Sequence, residues 1–294
     1  MRRYKFSDLL QYENKVKNLF DKYDLGFNST NRIARYFKYL REIEEGRQLD
    51  NQEFGKILQK DKAKYYYSQF YVLEICNLID ALERRPQDKI IIKNKLADLA
   101  KGTYLLSEEN PADTRARDTT FELSLFSFLQ ARDLNIRVCE PNPDLRLKSG
   151  KFVYEIECKR PQSIKSLERS IKKATKQLRK STGNDVVPTI ALSLDQVLFE
   201  RKDLILDSRD ETSASNFLNA TLEVFLRDNL KMLQKIIDNK SCLVLYYLSC
   251  LVGFKTDIPM ANATFITGNI YNFENELSHS VFEDLNALIP QSSL

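Results

Sequence analysis

In the first third of the chain, apolar residues recur at three- and four-residue spacing, the period of one face of a helix. This pattern predicts helices over residues 5–23, 30–45, 52–64, 65–85 and 89–101, with Pro86 and Gly102 as breaks. Residues 103–113, which carry Asn110-Pro111, read as a linker. Residues 1–110 are therefore expected to form an all-helical module and residues 111–294 a second domain. In the second part the period changes. A helix is expected over 113–134, with Phe121, Leu125, Phe126, Phe128 and Leu129 spaced for a buried face. A strand over 136–140 and an alternating stretch up to Lys159 follow. Pro161 marks the break before a helix over 163–181. Beyond it come a strand of central-sheet composition (187–195), a long amphipathic helix (215–239), a strand (242–251) and a weaker strand (263–267). The last segment, 273–294, reads as helix and then coil. This order of elements predicts an α/β domain behind a helical region.

The alternating stretch folds on paper into a hairpin. Phe152, Tyr154, Ile156 and Cys158 share one face, and Val153, Glu155, Glu157 and Lys159 the other. Upstream, Leu145 and Leu147 point opposite to Asp144, Arg146 and Lys148. With Ser149-Gly150 as a two-residue turn, Leu147 falls opposite Phe152 and Leu145 opposite Tyr154, so the apolar faces coincide. Asp144 then stands opposite Glu155 and diagonal to Glu157, which makes Glu155 a rival of Glu157. A bulge or a wider turn brings Asp144 toward Glu157 instead. An ordinary amphipathic hairpin with a solvated charged face has the same pattern.

The charged face has the composition of a phosphodiester-cleaving site. Two carboxylates, Asp144 with Glu157, offer the oxygen ligands a hard cation prefers. Such a cation polarises a phosphate and acidifies a water. Lys159 can orient or activate that water and stabilise charge developing on the phosphate. In the preceding helix, Glu122 is spaced toward the apolar side, where a carboxylate is costly unless paired. A metal is one remedy; Arg115, or exposure at the edge of the stripe, is another. The helix that follows carries Lys165, Arg169, Lys172, Lys173, Lys176, Arg179 and Lys180, with Glu168 as the sole acid from Lys159 to Lys180. That charge suits a polyanionic backbone, and equally a solvated helix face. Gln177, four residues after Lys173, could reach a water or phosphate at the site or simply be exposed.

Composition removes other chemistries. The 294 residues include a single histidine, His279, too few for His-Asn-His nucleases, zinc deaminases or HExxH proteases. There is no Gly-x-Ser-x-Gly elbow and no Gly-rich Lys-Ser/Thr phosphate loop, so ATP hydrolysis by this chain alone is not expected. Cys76, Cys139, Cys158, Cys242 and Cys250 are odd in number and lack CxxC spacing, which reads as reduced core thiols of a cytoplasmic protein. The apolar run 243–254 is too short to span a bilayer and suggests a buried strand, so no membrane partner is expected. Net charge is only +4, so affinity for nucleic acid must come from local patches. Tyr65, Tyr66, Tyr67, Phe70 and Tyr71 are expected to be helix-packing core rather than a base-stacking platform.

Residues 113–194, extending toward Gly268, resemble the PD-(D/E)xK nuclease superfamily. The resemblance rests on Pro143-Asp144, on Glu157-Cys158-Lys159 after a hairpin of suitable length, on Glu122 and on Gln177. It implies a restriction-endonuclease-like fold, a mixed central sheet flanked by helices. It also implies that Asp144 and Glu157 bind Mg²⁺ (or Mn²⁺), that Glu122 completes the metal shell and that Lys159 supports the attacking water. Some branches carry Gln-x-x-x-Tyr after the lysine; here Ser181 follows Gln177, and the cysteine pattern of iron–sulfur-bearing branches is absent. The implied activity is that of a metal-dependent endonuclease, with DNA favoured over RNA, in genome defence or on a mobile element. The helical module would bind DNA or a partner, a motor or sensor would be a separate chain, and homo-oligomers would allow double-strand cleavage. The competing expectations are a non-catalytic scaffold or interaction protein that keeps a nuclease-like fold, and a helical adaptor with an incidental hairpin.

Overall fold

A computed structural model describes residues 6–49, 56, 62–105, 108–110, 113–178, 183, 185–199, 205–208, 210–237, 240–254 and 260–288. The chain forms two compact units. One comprises residues 1–120 with 203–214 and 250–263, and the other residues 121–202 with 215–249 and 264–294.

The first unit begins with four helices, α1 (Phe6–Lys22), α2 (Arg32–Leu49), α3 (Lys62–Arg84) and α4 (Lys89–Leu99). The expected helix over 52–64 falls largely outside the described residues, and its last three residues belong to α3. Helices α1, α2 and α3 pack on one another around Val16, Phe20, Phe37, Leu40, Val72 and Leu73. Asp88 caps α4 by accepting from the backbone of Ile90 and Ile91. The aromatic run is core, as its spacing suggests: Tyr71 stacks on Tyr36 at 5.3 Å and its hydroxyl accepts from Arg117. Arg117 also reaches the carbonyls of Thr103 and Tyr104, so these buried charges knit the stretch after α4 to the helices.

Helix α5 (Arg115–Gln130) runs across the division between the units. The remaining elements are β1 (Asn135–Val138), β2 (Leu145–Ser149), β3 (Phe152–Lys159), α6 (Ile164–Gln177), β4 (Val186–Ser193), α7 (Asp195–Leu198), β5 (Ile205–Ser208), α8 (Glu211–Ile237), β6 (Cys242–Phe254), β7 (Met260–Tyr271) and α9 (Asn275–Leu288). The sheet is mixed, in the order β1-β2-β3-β4-β6-β5, with β7 also on β6. β1, β2 and β3 are antiparallel neighbours, whereas β3–β4 and β4–β6 are parallel. The protein is thus mixed α/β with a helical N-terminal region. Among the described residues, no helix is long and apolar enough to cross a membrane.

In the second unit the sheet has a helical layer on each face. Leu167, Ile171 and Ala174 of α6 and Leu222, Phe225 and Leu233 of α8 pack on Ile190 and Leu192 of β4 and Val244 and Tyr246 of β6. On the opposite face, Phe121 and Phe128 of α5 meet Tyr247 at 5.1 and 6.5 Å. Leu285 of α9 meets the same face: a Cβ on Gly268 would lie 3.0 Å from Leu285 and 3.1 Å from Leu245, so the leucines close over the glycine. Asp195 is not the end of a strand, as its position after an apolar run suggests. It opens α7, where its carboxylate accepts from the Ser193 hydroxyl and the Ser249 backbone and breaks the strand.

Candidate active site

The β2–β3 hairpin sets the site, and its register differs from the one drawn on Ser149-Gly150. Ser149 pairs with Phe152, Leu147 with Tyr154, Arg146 with Glu155 and Leu145 with Ile156. The turn is therefore Gly150-Lys151, with Gly150 at φ 50°, a left-handed conformation that glycine adopts readily. A shift of two residues keeps side-chain parity, so the apolar faces still coincide. In the same register Asp144, the residue just before β2, falls level with Glu157. Glu155 is held instead by Arg146, whose Nη2 donates to it at 2.6 Å. That pairing separates the two rival glutamates.

Asp144 and Glu157 meet around Lys159. The Cys158 backbone N–H donates to Asp144 Oδ2 at 2.8 Å. Lys159 Nζ donates to Glu157 Oε2 at 2.9 Å and to the Cys158 carbonyl at 3.0 Å, and lies 3.9 Å from Asp144 Oδ2. Glu157 is 0% exposed and Asp144 9%. Burial, and then the negative charge of Asp144, push the Glu157 carboxyl up to about 7, with Lys159 pulling the other way. Burial alone would lower the pKa of Lys159, but Asp144 and Glu157 outweigh it and raise it, so the ammonium persists. The Cys158 thiol is pushed well up by burial and by Asp144, which leaves it inert as a nucleophile.

Three oxygens thus converge on one cationic nitrogen: one from each carboxylate and one backbone carbonyl. The same donor set fits Mg²⁺ or Mn²⁺, because such a cation takes one or two carboxylates and leaves the remaining positions to water and substrate. Among the described residues, no group of three or more His, Cys, Asp or Glu is arranged to hold a metal. Glu122 is buried on α5 and acts electrostatically on the Cys158 thiol. Cys158 points to the α5 face of β3, whereas Glu157 pairs across to Ile190 and shares the α6 face.

Gln177 does reach the site, through a residue the motif does not include. The Asn142 amide, oriented so that its NH₂ faces acceptors, donates to Glu157 Oε1 at 3.0 Å and to the Pro141 carbonyl at 2.8 Å. The Gln177 amide lies 2.9 Å from the same end of Asn142. Asn142 sits just before Pro143-Asp144, so its proximity to the motif was the one available signal. Helix α6 starts at a capping box, in which Ser163 accepts from the Ser166 backbone and the Ser166 side chain accepts from that of Ser163. Its buried stripe leaves Lys165, Arg169, Lys172, Lys173 and Lys176 exposed. Of these, Lys172 pairs with Glu168 at 2.5 Å. Arg179 and Lys180 lie outside the described residues. His279 is on α9, 3.2 Å from Glu283. No family model, curated protein or solved structure matches the chain.

Proposed function

We propose that this protein is a Mg²⁺-dependent nuclease of the PD-(D/E)xK type, with a restriction-endonuclease-like domain that hydrolyses phosphodiester bonds, DNA being the favoured substrate. The observation that carries this reading is the convergence of Asp144, Glu157 and Lys159 across a single hairpin register. A divalent cation at the two carboxylates would polarise the scissile phosphate and acidify a water.

The chain's own residues supply the rest. Asp144, just before β2, and Glu157, on β3, would hold the cation between them. Burial, and then the charge of Asp144, disfavour the ionised Glu157, and added positive charge offsets both. Lys159 enters the reaction as an ammonium, so its part is to orient the attacking water and stabilise charge on the phosphoryl oxygens, not to abstract a proton. The exposed cations of α6 would bind flanking phosphates. Glu122, buried on α5, is the third acid that the resemblance would add to the metal shell. A role in defence or on a mobile element follows only from the pairing of one such unit with a helical region.

The test is cleavage of supercoiled plasmid and of single-stranded DNA with Mg²⁺ or Mn²⁺. The wild type is expected to cut. Glu157→Ala should be folded and inert, and Lys159→Ala should lose on the order of 10²–10³-fold in rate, the usual cost of one charge-stabilising donor. Equal cutting by all three proteins would sink the assignment. An inert wild type that binds Mn²⁺ would point to a silenced nuclease, and one that binds none would favour a scaffold.

A further inference from the structure

We propose that Asn142 is a positioning residue that fixes the carboxylate of Glu157 and ties it to helix α6. The consequence for catalysis rests on the nuclease reading above; the contact itself does not. Glu157 divides its two oxygens: Oε2 takes Lys159 at 2.9 Å and Oε1 takes Asn142 at 3.0 Å. The terminal torsion of a glutamate is soft and roughly two-fold. With a donor on each oxygen, the plane of this buried carboxylate is set. The Asn142 NH₂ has two hydrogens and faces two acceptors, the Pro141 carbonyl and Glu157 Oε1, with the Gln177 oxygen as a third once that amide is turned; the charged oxygen of Glu157 takes the stronger share.

On its other side Asn142 meets α6. Gln177 closes that helix, four residues after Lys173 and next to Lys176. The Gln177 Oε1 is buried and lacks a hydrogen bond when the amide nitrogen faces Asn142. Turning that amide lets the oxygen accept from Asn142, so that one chain of contacts runs from α6 through Gln177 and Asn142 to Glu157 and Lys159. The helix that would seat the substrate's phosphates and the carboxylate that would hold the cation are then one hydrogen-bonded assembly. A nearby exposed loop residue becomes responsible for the aim of a buried ligand.

The contact can be read without any metal. In chelator, the denaturation midpoints of wild type, Asn142→Ala, Glu157→Leu and the double variant form a cycle. Asn142→Ala should lower the midpoint when Glu157 is present, because Oε1 then loses its donor, and should change it far less in the Glu157→Leu background. Additive losses overturn the proposal. Manganese calorimetry is the second readout: Asn142→Ala should weaken binding about 10-fold or more, as removal of a ligand's supporting partner does. Gln177→Ala should weaken it in the same direction. In kinetics Asn142→Ala should lower kcat with KM unchanged, whereas Lys173→Ala should raise KM. Unchanged manganese affinity in a folded Asn142→Ala protein also overturns the proposal. If the wild type neither binds manganese nor cuts, the nuclease reading fails, and the stability cycle alone decides whether Asn142 holds Glu157.

Discussion

At Glu157, burial and the neighbouring charge of Asp144 act in the same direction, and both favour the protonated form. The folded-state pKa is therefore raised, to about 7 from about 4.5. The stabilising contribution of this group is fully present below the unfolded value and is lost as pH rises through the folded one. The metal-free protein should accordingly lose thermal stability between pH 5 and pH 8 through this group, and Glu157→Gln should flatten that slope. Calorimetric melting with chelator across that range checks it; an equal slope in both proteins contradicts the assignment. Parity along β3 made Glu157 and Lys159 legible as one face, because alternation is a property of the strand alone. The choice between Glu155 and Glu157 was not legible. It depends on which cross-strand neighbour each meets, and Arg146 meets Glu155. Asn142 was hidden for another reason: its role comes from where a loop returns, not from a repeat in the sequence.

At the scale of elements, the hairpin shows how far a pattern goes. Matching apolar faces fixes the register only to within two residues, since a shift of two preserves every face. The turn makes the remaining choice, and Gly150 at its first position, with φ 50°, decides for Gly150-Lys151. Helix α6 was legible from Pro161 and the apolar spacing, and its cap at Ser163 accounts for where it starts. Ser163→Ala should cost about 1 kcal/mol of stability, measured by urea denaturation, because one end of the helix loses its side-chain acceptor. The exposed basic stripe from Lys165 to Lys176 spans about 16 Å at the helical rise. Over that length one strand of a duplex presents roughly five phosphates. In the cleavage-inactive Glu157→Ala protein, alanine at Lys165, Arg169, Lys173 or Lys176 should each reduce the salt slope of DNA binding by about 1. Slopes that do not change would leave α6 as a solvated face. The four-residue elements α7 and β5 escaped the pattern, whereas β1, equally short, was marked by its place before the hairpin.

For the molecule as a whole, the helical character of the N-terminal region was legible from its period, but the path of the chain was not. Segments 203–214 and 250–263 group with the first unit, although the residues around them belong to the second. Local periodicity carries no information about such returns. A fragment of residues 121–294 would begin inside α5 and carry two segments deprived of their unit. It should be markedly less stable than the full chain, or aggregate, by circular dichroism and light scattering. A fragment as stable as the parent would show the units to be independent of those segments.

The account stands on the claim that Asp144 and Glu157 form a cation site in front of Lys159. The measurement that meets this most directly is a manganese titration by calorimetry at pH 8, comparing wild type with Asp144→Ala and Glu157→Ala, each shown to be folded. Saturable binding by the wild type and loss of that binding in both variants are expected. Binding that survives removal of either carboxylate, or no binding by the wild type, would contradict it.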